Sequence, residues 1–245
     1  MSVLTSEAVV LRTWPVHETD LIVSLFTRDY GRLRGVAKAA LKSRRRFGGA
    51  LEPMTLARAW FAERPRQELM RLDQLEIIRS PLSTPVDAVR MAILSLYAEV
   101  LDEALPERDP QDSVFRLLAS VLEQTTTEQP WMPLTYFLLW MTRLMGLLPE
   151  IGRCTVCGEA LHAEEVSFSL HADGLFCAIH RPDSAAELCA DSWHLAQRML
   201  RVPVSALAEE PWPRRRASDL RRFALQALER HLERRLRAAE TLARL

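Results

Sequence analysis

Short β-prone runs, in which apolar residues alternate or cluster, fill the first third of the chain. They cover, in order, residues 8–14, 21–27, 33–37, 55–62 and 68–78. Asp29-Tyr30-Gly31 forms a natural turn before the third run, and the polar residues 63–66 separate the last two. Five short strands without a long helical spacer predict a small closed barrel of the OB type. A β-sandwich, which needs more strands, ranks second.

After Pro81 the apolar residues recur at helical spacing. The predicted helices cover residues 86–101, 114–122 and 134–148, and a last helix runs from Ser218 or Asp219 to Leu236. The third of these helices is apolar nearly all round, which is typical of a buried core helix. We therefore predict a helical domain behind the barrel.

The composition is that of a soluble globular protein, because 48% of the 245 residues are apolar and 26% are charged. It excludes intrinsic disorder, collagen and a coiled-coil rod, and no glycine stands in a GxxxxGK[ST] phosphate loop. The N-terminus lacks the basic start and the apolar run of a signal peptide. Pro133 and Arg143 interrupt the most apolar stretch, residues 131–148, which favours a buried helix over a membrane span. We expect a cytoplasmic protein.

The net charge of zero conceals three segments of unlike charge. Residues 1–80 carry +5, residues 81–213 carry −11 and residues 214–245 carry +6. Such segregation allows one surface to bind a polyanion while another repels it, since each field acts over about 8–10 Å.

A basic stretch directly follows the third predicted strand. Its five cations are Lys38, Lys42, Arg44, Arg45 and Arg46. Cations beside an OB-like barrel can follow the phosphates of a nucleic acid, and exposed aromatic side chains can stack on its bases. We predict that the cations bind nucleic acid. For the aromatic candidates Phe47, Tyr30 and Trp60 we favour a place in the core.

Two ligand pairs, Cys154-x2-Cys157 and Cys177-x2-His180, are separated by nineteen residues. Two such turns complete the tetrahedral shell of a Zn²⁺ ion, and the strand-like residues 166–170 with the Asp173-Gly174 turn form a hairpin that brings the pairs together. Four protein ligands leave no position for a reacting water, which favours a structural site. Unrelated buried cysteines remain an alternative. Cys189 is a second candidate for the fourth ligand, although we favour it as a core residue of the following helix.

An enzymatic alternative rests on His162-Ala-Glu164 followed by Cys177-x2-His180, which is similar to the signature of zinc-dependent nucleobase deaminases. Phe176 stands where that signature has proline, and Cys154 and Cys157 would have no role. We favour His162 as a surface residue of the hairpin.

Taken together and in order, several segments resemble the RecO family of recombination mediators. They are AVVL (8–11), ETD (18–20), LFT-x2-YGR (25–32), VAK (36–38), SRRRFGGALEP (43–53) and LMGLLP (144–149), which leads into the first cysteine pair. The resemblance implies an OB-fold domain over residues 1–80 and a helical domain over residues 81–245, with a zinc-finger-like insertion over residues 150–190. The fold class we predict is therefore α+β.

The resemblance also implies a function without catalysis. The family binds single- and double-stranded DNA, promotes annealing, and works with RecR to load RecA onto strands coated by single-strand-binding protein. It implies a DNA-binding role for the five cations of the basic stretch and a place at the nucleoid. Arg214, Arg215 and Arg216 form a second patch that serves either DNA or a partner protein.

Two departures from the family pattern concern the metal. Many zinc-bearing relatives have Cys-x2-Cys in the second pair and Gly-Gly before it, whereas this chain has Cys177-x2-His180 and Asp173-Gly174. Histidine is a competent zinc ligand, so we expect the site to be retained. Some relatives lack the metal, which makes zinc a structural aid. A protein-interaction scaffold with incidental DNA contact is the alternative function.

Overall fold

The computed structural model describes residues 3–63, 68–125, 128–148 and 150–245. The chain forms two compact units, of which the first contains Met1–Ala119 and Leu236–Leu245 and the second contains Ser120–Arg235. The predicted α+β class is confirmed. Most of the predicted break at residues 63–66 lies outside the described residues, as does Pro149 of the LMGLLP segment.

Five strands of the first unit pair in one closed barrel. They are β1 (Val3–Pro15), β2 (Leu21–Thr27), β3 (Gly31–Ala37), β4 (Leu56–Ala62) and β5 (Met70–Arg79). The order is β1-β2-β3-β5-β4, and β4 pairs back with β1 to close the ring. Only the short β3–β5 pairing is parallel. The five predicted strands are thus confirmed, each within a few residues of its predicted bounds.

The barrel interior is filled by alternate residues of each strand, because successive side chains point to opposite faces. Leu21, Val23 and Leu25 of β2 lie in this core, as do the small residues Ala57 and Ala59 of β4. The other face of β2 has two environments. Its first half is partly exposed, whereas its second half is buried under helices of the first unit, where Phe26 packs edge-on against Phe115 with ring centroids 5.5 Å apart.

Among the described residues, three α-helices contribute to the first unit: α1 (Ala88–Ala104), the beginning of α2 (Asp112–Thr125) and α6 (Arg237–Arg244). Asp87 caps α1 by accepting a hydrogen bond from the Arg90 N–H at 2.8 Å. Glu99, which is buried on α1, accepts from the Arg237 and Ala238 N–H groups at the start of α6. A carboxylate at this end of a helix also complements the helix dipole.

The second unit contains α3 (Trp131–Leu144), α4 (Ala190–Met199) and α5 (Ser218–His231). It also holds a three-stranded sheet in the order β7-β6-β8, in which each strand has two residues: β6 (Ser167–Phe168), β7 (Leu175–Phe176) and β8 (Ala186–Glu187). Phe168 of β6 packs edge-on against Phe223 of α5 at 5.4 Å between ring centroids. This contact fixes the sheet on the helices.

The apolar stretch 131–148 is a buried helix, as expected, and it ends at Leu144. Pro133 lies in its first turn, where the missing N–H has no helical partner to lose. In the part of the chain that the structure describes, no helix combines enough length with enough apolar character to cross a membrane.

The prediction of one continuous last helix through Leu236 is wrong. The helix α5 ends at His231, Glu233 takes a left-handed conformation with φ of 53°, and α6 starts at Arg237. The break places Leu236 in a buried position and lets Glu99 cap the new helix. That cap comes from a residue far away in sequence, so the apolar spacing alone does not reveal it.

Candidate nucleic-acid interface and metal centre

Residues 38–49, which we call the basic loop, leave the end of β3 as a series of turns. Two hydrogen bonds from backbone N–H groups hold the first part of the loop against the β1–β2 connection. The Ala39 N–H donates to Asp20 Oδ1 at 2.7 Å, and the Leu41 N–H donates to the Thr19 carbonyl at 3.2 Å. The position of the loop is therefore set by the barrel.

Phe47 and Arg46 anchor the second part of the basic loop. Phe47 is 2% exposed and belongs to the barrel core, as predicted. The Arg46 guanidinium lies over its ring at 5.0 Å and donates to Ser43 Oγ at 3.0 Å and to the Lys38 carbonyl at 2.5 Å. Arg46 thus holds the loop in shape, in addition to any contact that it makes outside the protein.

The other four predicted cations point into solvent. They are Lys38, Lys42, Arg44 and Arg45, and all are exposed. Among the described residues none of the four has a carboxylate partner. Elsewhere on the same unit the exposed arginines Arg28 and Arg108 form ion pairs, as does the half-buried Arg71. The basic loop therefore presents four exposed cations that, among the described residues, a polyanion can contact without displacing an internal carboxylate.

The remaining aromatic candidates are only partly in the core. Tyr30 is half-buried and packs edge-on against Phe61 with ring centroids 5.4 Å apart. Trp60 is half-buried on the outer face of β4, because Ala59 and Phe61 on either side of it point inward. Sequence reasoning missed Trp14, which is 37% exposed near the end of β1. The signal available in the sequence was the position of Trp14, which stands directly before Pro15 and the polar connection that follows it.

The second predicted patch, Arg214 to Arg216, belongs to the second unit. Arg216 pairs with Glu210 at 2.6 Å and lies over the Trp212 ring at 4.4 Å, while Arg214 lies over the Trp131 ring at 5.4 Å. The buried Arg221 donates to the carbonyls of Arg214 and Arg216 and so fixes this segment. Burial lowers the pKa of Arg221 to about 10. Only Arg215 of the three is exposed without a carboxylate partner among the described residues, and it lines a cleft of about 700 Å³.

The structure brings the four predicted metal ligands together. The ligand atoms of Cys154, Cys157, Cys177 and His180 all lie within 4.8 Å of one another. His180 Nδ1 is 3.9 Å from Cys154 Sγ and 3.3 Å from Cys177 Sγ. A tetrahedral zinc shell, with bonds of about 2.0–2.3 Å, separates its ligand atoms by about 3.3–3.8 Å. The donor set and its spacing therefore fit Zn²⁺.

Backbone N–H groups prepare Cys154 to bind a cation. Burial raises the pKa of its thiol, but hydrogen bonds from the backbone of Cys157, Cys177 and Val156 lower it to about 6 in total. The Cys157 thiol receives a lowering contribution from the Glu159 backbone, yet burial and the adjacent thiols leave its pKa raised. A bound cation would offset the repulsion between neighbouring thiolates, and metal ligation therefore deprotonates the thiols.

Gly174 allows the two ligand turns to approach. Its φ is +99°, and a Cβ atom at this position would lie 1.8 Å from Thr155 Oγ1. The Thr155 N–H donates to the Leu175 carbonyl at 2.9 Å, which joins the first ligand turn to β7. Only glycine combines this conformation with this contact.

Two alternative assignments do not match the geometry. Cys189 lies outside the ligand group; its thiol donates to Ser192 Oγ at 3.2 Å. The expectation that it is a core residue is wrong, since it is the exposed N-cap residue of α4. His162, the ligand that a deaminase requires, is exposed and also outside the group, and Glu164 is exposed beside it. The structure thus gives the deaminase signature no support in the described residues.

Known proteins match this chain over nearly its full length. The family model of the Recombination protein O N terminal region matches residues 1–81, and that of the C terminal region matches residues 85–240. The DNA repair protein RecO of Koribacter versatilis is 52% identical over 231 residues, which cover 94% of each chain. RecO of Anaeromyxobacter sp. (strain K) is 34% identical over 238 residues, covering 96% of this chain and 93% of the relative. The chain therefore belongs to the RecO family of DNA repair proteins.

Proposed function

We propose that this protein is a DNA-binding recombination mediator whose basic loop grips the phosphates of a single strand. The observation that carries the proposal is the group of four exposed cations without carboxylate partners among the described residues: Lys38, Lys42, Arg44 and Arg45. The barrel that presents them has the strand order β1-β2-β3-β5-β4, which suits the OB fold. Domains with this fold often bind single-stranded nucleic acids.

The proposed mechanism is electrostatic. Each cation that contacts a phosphate releases condensed counterions from the strand and neutralises one charge. Two strands held in this way repel each other less, so complementary bases meet more often and anneal faster. No bond in the DNA is made or broken, and the proposed role is not enzymatic.

We assign partners on the strength of family membership. The chain is proposed to act with RecR to load RecA onto single strands coated by single-strand-binding protein, at the nucleoid. Arg215 and the cleft that it lines are the part of the second basic patch best suited to a further contact, with DNA or with one of these proteins.

The proposed cofactor is one structural zinc ion held by Cys154, Cys157, Cys177 and His180. The ion would cross-link the two ligand turns, and four protein ligands leave no open position for substrate. The domain assignment also stays a proposal: the DNA-binding domain is residues 1–80, and the helical domain is residues 81–245 with the zinc-bearing insertion at residues 150–190.

The salt dependence of single-strand binding tests the function. Replacing both Arg44 and Arg45 with alanine is expected to reduce the slope of log K against log salt concentration by about 1.4, since each lost phosphate contact on a single strand removes about 0.7. Fluorescence anisotropy with a labelled oligonucleotide over a series of salt concentrations measures this slope.

Arg46→Ala is expected to lower the thermal stability of the protein in addition to weakening DNA binding, because Arg46 supports the loop.

The matched control is Arg116→Ala. Arg116 is exposed on α2 and is already paired with Asp112 at 2.9 Å, so its loss should leave the slope unchanged. An unaltered slope in the double variant would reject the assignment of the loop. If the wild type binds its partner proteins but contacts DNA only weakly and without salt dependence, the interaction scaffold would be favoured instead.

A further inference from the structure

A strip of partly exposed apolar side chains crosses the outer face of the barrel. Trp14 of β1 pairs with Ile22 of β2, and Ile22 pairs with Val36 of β3. Side chains at directly paired positions project from the same face and lie about 4.5–5.5 Å apart. Leu21 and Val23, on either side of Ile22, point into the core, so the strip faces outward. It offers one aromatic ring extended by two aliphatic side chains.

The strip lies at the end of the barrel from which the basic loop emerges. Ala37, the last residue of β3, pairs with Leu21, which in turn pairs with Pro15 next to Trp14. Lys38 follows Ala37 directly, and the loop is tied to the β1–β2 connection by the hydrogen bonds to Asp20 and Thr19. The start of the basic loop and the strand that carries the indole are therefore separated by about two strand spacings of 4.8 Å.

Two further apolar side chains are exposed in the segments that adjoin the strip. Val16 in the β1–β2 connection is 40% exposed and Leu41 in the basic loop is 63% exposed. Contiguous exposed apolar surface is uncommon on a soluble protein and marks a binding site. An apolar strip bordered by unpaired cations is complementary to a polymer that has flat apolar bases and anionic phosphates.

We infer that Trp14 is a nucleobase-stacking residue, with Ile22 and Val36 extending its platform, so that this face selects unpaired strands. The inference rests on the proposed function, because the cations of the basic loop supply the accompanying phosphate contacts. An indole stacks on any unpaired base, whereas the bases of a duplex are already stacked on each other. The loop charges alone would not make this distinction, since both forms of DNA carry phosphates.

An abasic oligonucleotide separates stacking from charge. It has the phosphates of an oligo-dT of the same length but no bases. We expect the wild type to bind oligo-dT about 5- to 150-fold more tightly than the abasic strand, the ratio that one stacked base supplies. In Trp14→Ala this ratio should fall towards one while the salt slope stays unchanged. Trp14→Phe should restore most of it, and Trp14→Leu, which keeps apolar contact without a broad π-face, should not.

The control is Trp60→Ala, which removes the half-buried tryptophan on the outer face of β4 and should leave the ratio intact. Equal binding of both strands by the wild type would overturn the inference without any variant. A loss of the ratio in Trp60→Ala but not in Trp14→Ala would also overturn it. Failure of the proposed function is distinguishable, because the Arg44→Ala, Arg45→Ala double variant would then retain the wild-type salt slope.

Discussion

Cys154→Ser is expected to release zinc and to unfold residues 150–189, which we call the metal lobe. The lobe contains only two-residue strands and one 3-10 turn (Ala163–Glu165), so a bound ion would supply much of the order that secondary structure supplies elsewhere. Zinc binding by small zinc-finger peptides is accompanied by apparent free energies of about 10–16 kcal/mol. Loss of one of four ligands should remove a large part of such a contribution, and the buried Cys154 is the ligand least able to be replaced by water.

Metal content and thermal unfolding measure this effect. Purified wild-type protein should hold about one zinc ion per chain, and a chelator should lower its unfolding temperature as the variant does. Cys189→Ser is the matched control, since Cys189 is an exposed cysteine of the same unit that lies outside the ligand cluster. If both variants retain zinc and unfold alike, or if the wild type contains no metal, the site is rejected. The basic loop should retain its DNA contacts in both variants.

The second large effect concerns Arg32, which is 8% exposed at the junction of β3 and α1. Its Nε donates to the Leu105 carbonyl at 2.9 Å, and its Nη1 is 3.3 Å from Glu107 Oε1 and 3.7 Å from Asp102 Oδ1. Asp102 is itself buried and accepts from Ser24 Oγ at 2.7 Å. We expect Arg32→Ala to lower the free energy of unfolding by about 1–3 kcal/mol, because the Leu105 carbonyl loses its donor and the buried Asp102 keeps only Arg12 and Ser24 as partners.

Arg34→Ala is the control for this prediction. Arg34 contacts the same carboxylate, with Nε 3.3 Å from Glu107 Oε1, but nearly half of its side chain is exposed. Exposed pairs contribute at most about 1 kcal/mol, so this variant should unfold close to the wild type. Urea denaturation followed by circular dichroism compares the midpoints. Equal midpoints for the two variants would mean that the buried network does not stabilise the first unit.

Local patterns in the sequence predicted the elements whose causes are local. The alternation of apolar residues predicted the strands, since a strand with one buried face repeats every two residues. The two ligand pairs predicted the cluster of Cys154, Cys157, Cys177 and His180, because each turn needs only its own spacing. The cations of the basic loop were predicted as a group, and four of the five are exposed.

Features that depend on long-range contacts were missed. The buried pair of Arg32 and Asp102 joins residues far apart in the chain, and so does the cap that Glu99 provides at the start of α6. The role of Arg46 in the loop depends on the burial of Phe47, which the charge pattern does not show. The sequence pattern treats Trp14 as one more strand residue, because the pattern does not show which faces of the strands are covered by helices. Each of these needs the tertiary structure.

The most direct test of the central claim uses the two lysines of the chain, Lys38 and Lys42, which both lie in the basic loop. Acetylation with an amine-reactive ester, quantified by mass spectrometry, reports on these two side chains and on the N-terminal amine as an internal reference. A saturating single-stranded oligonucleotide should protect both lysines, and high salt should remove the protection as the strand dissociates. Unchanged reactivity of Lys38 and Lys42 with the strand fully bound would contradict the account.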